Sequence, residues 1–169
     1  TRSLGIEFEA IARGLAEYRG AHRRFEVKGV RSGVTVVDDY AHHPTEVAAT
    51  LSAAAAGGGN GRVIGVFQPH RYSRTQLLGA EFGPAFHQAD HVVITDVYAA
   101  GERPIAGITG RVVYDSIKRL GHPNVTFLPT SFEVEQHLLH TVRSGDMVLT
   151  LGAGDIYKVG EHLLQQLPQ

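Results

Sequence analysis

Three short polar stretches carry the side chains that could do chemistry, and each follows an apolar run directly. Asp38-Asp-Tyr-Ala-His-His-Pro44 sets two carboxylates, a phenol and two imidazoles side by side. A carboxylate at the end of a buried strand can accept from both hydroxyls of a ribose. The competing account is that one acid caps the helix opening at Pro44 and the other is solvated. His42 and His43 are of a type that ligates metal or stacks on a base, and equally of a type that sits on loop surfaces. Gln68-Pro-His-Arg-Tyr-Ser-Arg-Thr75 brings His70, Arg71 and Arg74 to a helix start, with Ser73 and Thr75 as candidate caps. Two guanidinium forks beside a helix N-terminus make a grip for a carboxylate or phosphate, against the alternative of a solvated helix start. Gly152-Ala-Gly-Asp155 is a glycine turn at which a ligand could approach backbone amides, but it is too short for a dinucleotide or phosphate-loop fingerprint. No Gly-x-x-x-x-Gly-Lys-Ser/Thr occurs, so the usual cradle for a nucleoside triphosphate's terminal phosphates is not in this sequence.

The elements that must position these residues are legible from the pattern. Val34 to Val37, Arg62 to Phe67, His91 to Thr95, Val125 to Leu128 and Met147 to Leu151 are β-branched or apolar runs bounded by turn residues, and read as buried strands. Between them lie helical stretches: Pro44 to Ala56, one following Gln68 to Thr75 and running to about Gln88, Gly110 to Leu120, one that Ser131 with Glu133 opens as its cap and that runs to Val142, and from the Gly152 turn to Leu167. Arg23 to Lys28 reads as a short strand ahead of Val34, and Gly57 to Gly61 as a flexible tip. Strand and helix alternation predicts an α/β fold: a Rossmann-like, mostly parallel sheet of about six strands with helices on both faces and a short N-terminal β element. From Leu4 to Tyr18, apolar residues recur at three- and four-residue steps, which predicts an amphipathic helix with no evident partner.

The 169 residues suffice for one domain with a sizeable core. A formal charge of −1 with scattered Lys and Arg offers no general attraction for nucleic acid or an anionic membrane. With no Cys, disulfides, thiolate chemistry and thiolate zinc sites are excluded, which is compatible with a cytoplasmic protein. No apolar run reaches the roughly 18 residues of a membrane span, and Thr1-Arg-Ser-Leu4 is not a signal peptide and looks like a cut.

Taken together, Asp38-Asp-Tyr-Ala-His-His-Pro-Thr-Glu46, Phe67-Gln-Pro-His-Arg-Tyr-Ser-Arg-Thr75, Asp96-Val-Tyr-Ala-Ala-Gly-Glu102 and Gly152-Ala-Gly-Asp-Ile156 closely resemble the C-terminal domain of the UDP-N-acetylmuramate:L-alanine ligases, within the Mur ligase family. Arg23-Arg-Phe-Glu26 resembles that family's junction between central and C-terminal domains, so the likeness runs from about Gly20 to the end. Residues 1–19 then correspond to a remnant of the preceding central domain or linker, and 20–169 to the C-terminal domain. The family's N-terminal UDP-binding domain and its central ATPase domain are missing. The resemblance implies that ATP phosphorylates the muramate carboxylate with Mg2+ holding the phosphates, and that L-alanine attacks the acyl phosphate to give the amide. It implies that Asp39 contacts the ATP ribose, and that Tyr40, His42, Arg71 and Arg74, with His70 alongside, line the alanine pocket. The arginines would hold the alanine carboxylate, and the turn at Gly152 and Asp155 would line the same cleft. It implies no catalytic residue in this stretch and no metal ligand, since UDP-N-acetylmuramate, ATP and Mg2+ meet mainly the missing domains. The isolated chain is accordingly expected to be inactive. Two alternatives stand beside it: a murein tripeptide recycling ligase, which Gln68 to Thr75 disfavours, and a stand-alone nucleotide or carboxylate binding module.

Overall fold

The computed structural model describes residues 5–17, 21–57 and 61–168. Six strands, β1 (Glu26–Arg31), β2 (Val34–Asp39), β3 (Val63–Phe67), β4 (His91–Ile94), β5 (Val125–Phe127) and β6 (Met147–Leu151), form one sheet in the order β1-β2-β6-β3-β4-β5. β1 is antiparallel to β2 and every other pairing is parallel. Parallel neighbours require a crossover, and the helices that supply it cover both faces. α2 (Pro44–Gly57), α4 (Phe82–Ala85) and α5 (Arg111–Arg119) enclose Val37, Leu51, Phe67, Phe86, Ile94, Ile117 and Leu149 on one side. On the other, α6 (Ser131–Thr141) and α7 (Tyr157–Gln166) enclose Val36, Ile64, Val93, Leu138, Val148, Ile156 and Leu163. The α/β sheet expected from the strand and helix alternation is the one found.

Three local readings need correction. The helix expected after Gln68 to Thr75 and up to about Gln88 begins earlier, at Tyr72, and is broken into α3 (Tyr72–Leu78), a 3-10 turn (Gly79–Glu81) and α4. The break follows from packing: a Cβ on Gly79 would overlap Val112 Cγ1, and one on Gly83 would lie 2.9 Å from Leu120 Cδ1, so α5 comes close only where the chain has glycine. Ser73 and Thr75 are not caps; Arg71 occupies the N-cap position of α3 without a side-chain cap bond. The Ser73 hydroxyl instead donates to Glu102 at 2.6 Å, and Thr75 bonds back to the Arg71 carbonyl at 2.9 Å. The cap of α6 is Thr130, whose side chain accepts from the Glu133 amide at 3.3 Å while the Glu133 carboxylate accepts from the Thr130 amide at 3.0 Å.

α1 (Phe8–Glu17) forms, with Ile6 and Phe8 left exposed. The ends of the helix expected over Leu4 to Tyr18, and most of the glycine tip after Gly57, lie outside the described residues. Among the described residues no helix is long and apolar enough to cross a membrane.

Candidate functional site

β2, β6 and β3 lie side by side, so the C-terminal ends Asp39, Leu151 and Phe67 come to one edge in register. The order places a strand reached from one side between strands connected on the other, which opens a crevice where the chain leaves the sheet. All three polar stretches meet there.

Both acids that end β2 are turned inward. Asp39 is 5% exposed, and its carboxylate accepts from the Ala41 amide at 2.8 Å, the Phe25 amide at 2.9 Å and the Thr50 hydroxyl at 3.2 Å. Asp38 accepts from Arg23 Nε at 2.7 Å and from the Thr150 hydroxyl at 2.8 Å. Neither is the helix cap nor the solvated acid of the competing account. Glu46 serves the start of α2 instead, accepting from the His42 and His43 amides at 3.0 and 3.2 Å.

Beyond Asp39 the chain lays out a row of rings. Tyr40 meets His42 edge-on at 5.4 Å between centroids, His42 faces His70 at 6.0 Å, and His70 stacks on Tyr98 at 5.7 Å. A bridge between His70 and Tyr98 extends the parallel pairing of β3 and β4 past the strand ends, which holds that stack. Arg74 Nη1 lies 3.2 Å from His70 Nδ1; a guanidinium only donates, so that nitrogen accepts. Burial, then the positive charges of Arg74, His42 and Arg71, push the His70 imidazole below its ordinary value and keep it neutral. Arg71 is exposed and sits at φ 70°, ψ 137°, a conformation costly for a residue with a Cβ, tied down by its amide to the Tyr98 carbonyl at 2.8 Å.

The Gly152 turn presents carbonyls inward rather than amides outward. Arg23 Nη2 donates to the Gly152 carbonyl at 2.8 Å and Nη1 to that of Gly154 at 3.1 Å, while its guanidinium lies between the rings of Tyr40 and Tyr157. Gly152 adopts φ 150°, and Gly154 packs so tightly that a Cβ there would overlap Gln68 Oε1 and lie 2.6 Å from the Tyr98 ring. Asp155 accepts from Gln68 Nε2 at 3.0 Å, and Gln68 Oε1 is buried with no hydrogen-bond partner among the described residues. The sequence reading missed Arg23, Gln68 and Tyr98 as site residues. Arg23 carries no local signal, since its partners are 15, 129 and 131 residues away.

A family model for "Mur ligase, glutamate ligase domain" matches residues 23–154. The chain belongs to the Mur ligase family. Its relatives among curated proteins include a UDP-N-acetylmuramate--L-alanine ligase of Pelotomaculum thermopropionicum, 48% identical over 99% of this chain and 36% of that protein. One of the same name from Gloeobacter violaceus is 53% identical over 98% of this chain and 35% of that protein. The chain thus spans about a third of the length of these relatives. Among solved structures, the UDP-N-acetylmuramate-alanine ligase of Thermotoga maritima superposes with a TM-score of 0.81 at 31% identity, over 98% of this chain and 34% of that one. A murein peptide ligase from Psychrobacter arcticus, with a TM-score of 0.72 at 20% identity over 97% of this chain and 34% of that one, shares the fold. The Mur ligase fold therefore accounts for the sheet order, and the crevice beside Asp39 is where this domain's polar residues converge.

Proposed function

We propose that the chain is the C-terminal domain of a cytoplasmic, ATP-dependent ligase that joins L-alanine to UDP-N-acetylmuramate in peptidoglycan synthesis. In this reading 20–169 is that domain, and 1–19, whose Ile6 and Phe8 are exposed, packs on a preceding ATPase domain. The observation that carries the reading is the meeting of His42, His70 and Arg74, with Arg71 one turn away, in a chain about half identical to alanine-adding ligases. A guanidinium pair takes a carboxylate in a two-point grip, and the His70 imidazole beside it, lowered below its ordinary value, tolerates an ammonium without repulsion.

Tyr40, His42, His70, Arg71 and Arg74 form the amino-acid pocket, and the turn at Gly152 and Asp155 closes its floor. Asp39 meets the ATP ribose. Three of the roughly four lone-pair sites of its carboxylate are taken within the chain, which leaves about one bond for a hydroxyl. One such bond is worth about 0.5 to 1.5 kcal/mol net, so nucleotide and Mg2+ are held mainly by the other domains. Domain closure over the nucleotide then aligns amine and acyl phosphate, and that alignment is this domain's contribution.

The test is phosphate release by the protein carrying its preceding domains, supplied with ATP, Mg2+, UDP-N-acetylmuramate and L-alanine. Arg71→Ala and Arg74→Ala should each raise the KM for alanine far more than that for ATP, by the roughly 1.5 to 3 kcal/mol of a charge-assisted hydrogen bond. No alanine-dependent release by the unaltered protein, or a loss confined to ATP, counts against the assignment.

A further inference from the structure

Resting on that reading, we propose that His42 Nε2 takes the ammonium proton of the incoming amino acid, which makes His42 a catalytic base and not only a wall of the pocket. Its Nδ1 lies 2.9 Å from the Tyr40 carbonyl oxygen and 3.4 Å from Glu46 Oε2. Both partners are acceptors, so Nδ1 carries the hydrogen, and in the neutral ring the lone pair is on Nε2. Among the described residues the ring's hydrogen bond is made by Nδ1 and none by Nε2, and the side chain keeps 22% of its surface open. The neighbouring His70 is differently disposed, because its Nδ1 lone pair already faces Arg74 at 3.2 Å. Of the two imidazoles, His42 alone has a lone pair to offer.

The surroundings suit the transfer. Burial raises the Glu46 carboxyl, but the amides of His42 and His43, the Arg24 charge and, once it forms, the His42 imidazolium outweigh it and hold the group below its usual value, so Glu46 is an anion behind His42. The Tyr40 carbonyl orients the ring, and the Glu46 charge 3.4 Å from Nδ1 stabilises the imidazolium that forms. The groups facing His42 are Tyr40 in its own loop, Glu46 on α2 with Arg24 at 3.6 Å, and His70 with Arg71 and Arg74 at the start of α3. In an α-amino acid the ammonium is one carbon from the carboxylate, so gripping the carboxylate at the arginines brings the ammonium to the adjacent imidazoles. Transfer of one ammonium proton to Nε2 frees the nitrogen lone pair, which attacks the carbonyl carbon of the acyl phosphate. A C–N bond forms, the C–O bond to phosphate breaks, and the second proton on nitrogen leaves with the phosphate as hydrogen phosphate. The imidazolium returns its proton to water.

The experiment compares alanine with hydroxylamine, a nucleophile largely unprotonated at neutral pH, as amine substrate of the protein carrying its preceding domains. His42→Gln should lower kcat with alanine by about a hundredfold or more, change the KM for alanine far less, and remove the limb on which kcat/KM rises with pH. Turnover with hydroxylamine should fall much less than turnover with alanine. Glu46→Gln, which keeps an acceptor for the two amides, should move that limb to lower pH, because the imidazolium loses its counter-charge. Equal proportional losses with both nucleophiles, an unchanged limb in both variants, or a limb that moves to His70→Gln would overturn the assignment. Absence of alanine-dependent turnover in the unaltered protein would instead overturn the underlying reading.

Discussion

Arg23 donates its Nε–H to Asp38 at 2.7 Å, and with its two other nitrogens ties down the carbonyls of Gly152 and Gly154. One guanidinium thus joins the segment before β1, the end of β2 and the turn after β6. Its side chain is 13% exposed and that of Asp38 1%. A planar fork with five donors serves three acceptors in fixed directions at once, which an ammonium on a flexible stem does not.

Arg23→Ala leaves Asp38 as an uncompensated charge in the sheet edge, and breaking a buried pair in this way costs about 3 to 5 kcal/mol. Chemical denaturation of the 169-residue chain should show an unfolding free energy lowered by that amount. Arg23→Lys should recover only part of the loss.

Gly154→Ala pushes a methyl against Gln68 Oε1 and the Tyr98 ring. Overpacking of this kind costs about 1 to 3 kcal/mol, and it displaces the ring on which His70 stacks. Altered Tyr98 and His70 ring resonances in the NMR spectrum, alongside a lowered denaturation midpoint, are expected; unchanged shifts at both residues would contradict it.

Thr130→Ala removes the side-chain half of the capping box at α6 and should cost about 1 kcal/mol. The denaturant midpoint should fall with no change in slope, because the surface exposed on unfolding stays the same. Ser131→Ala, one residue beyond the cap, should have a much smaller effect.

His91 and His137 meet at 5.2 Å between ring centroids, and burial lowers both imidazoles from the ordinary 6.5, helped at His91 by His137, Arg62 and His122 and at His137 by His140. A folded value below the unfolded one means that the unfolded state holds more protons between the two. Stability is therefore intact above 6.5 and lost as pH falls from there through the folded-state values. Glu26, Glu46 and Asp146, whose carboxyls are lowered, lose their contribution only below 4.5, 4.5 and 3.8. Denaturation midpoints taken from about pH 8 to about pH 5 should show the histidine loss first, and His91→Asn should flatten it relative to the native chain.

Much of the fold was legible because strands and helices are written in local patterns. The β-branched run before Asp38 and the apolar runs before Gln68 and Gly152 showed where strands stop, and a strand's end is where a parallel sheet exposes side chains. The break of the helix after Tyr72 was not legible, because a glycine is tolerated in a helix unless something packs on it, and Val112 and Ser116 arrive from α5. The capping residue of α6 was misplaced by one, since Thr130 and Ser131 are chemically alike and only the bond to Glu133 separates them.

By itself the sequence determined the residue types at the site and their place at strand ends, because side-chain chemistry and apolar periodicity are local properties. Whether an acid faces a ligand or the interior was decided by the tertiary structure. Asp39 has its partners in Phe25, Ala41 and Thr50, and Asp38 in Arg23 and Thr150. The same holds for the pairing of Arg74 with His70 and for the Nε2 of His42, which has no partner among the described residues. Hydrogen bonding depends on distance and direction between groups far apart in the chain, and those are fixed only when β6 slots between β2 and β3.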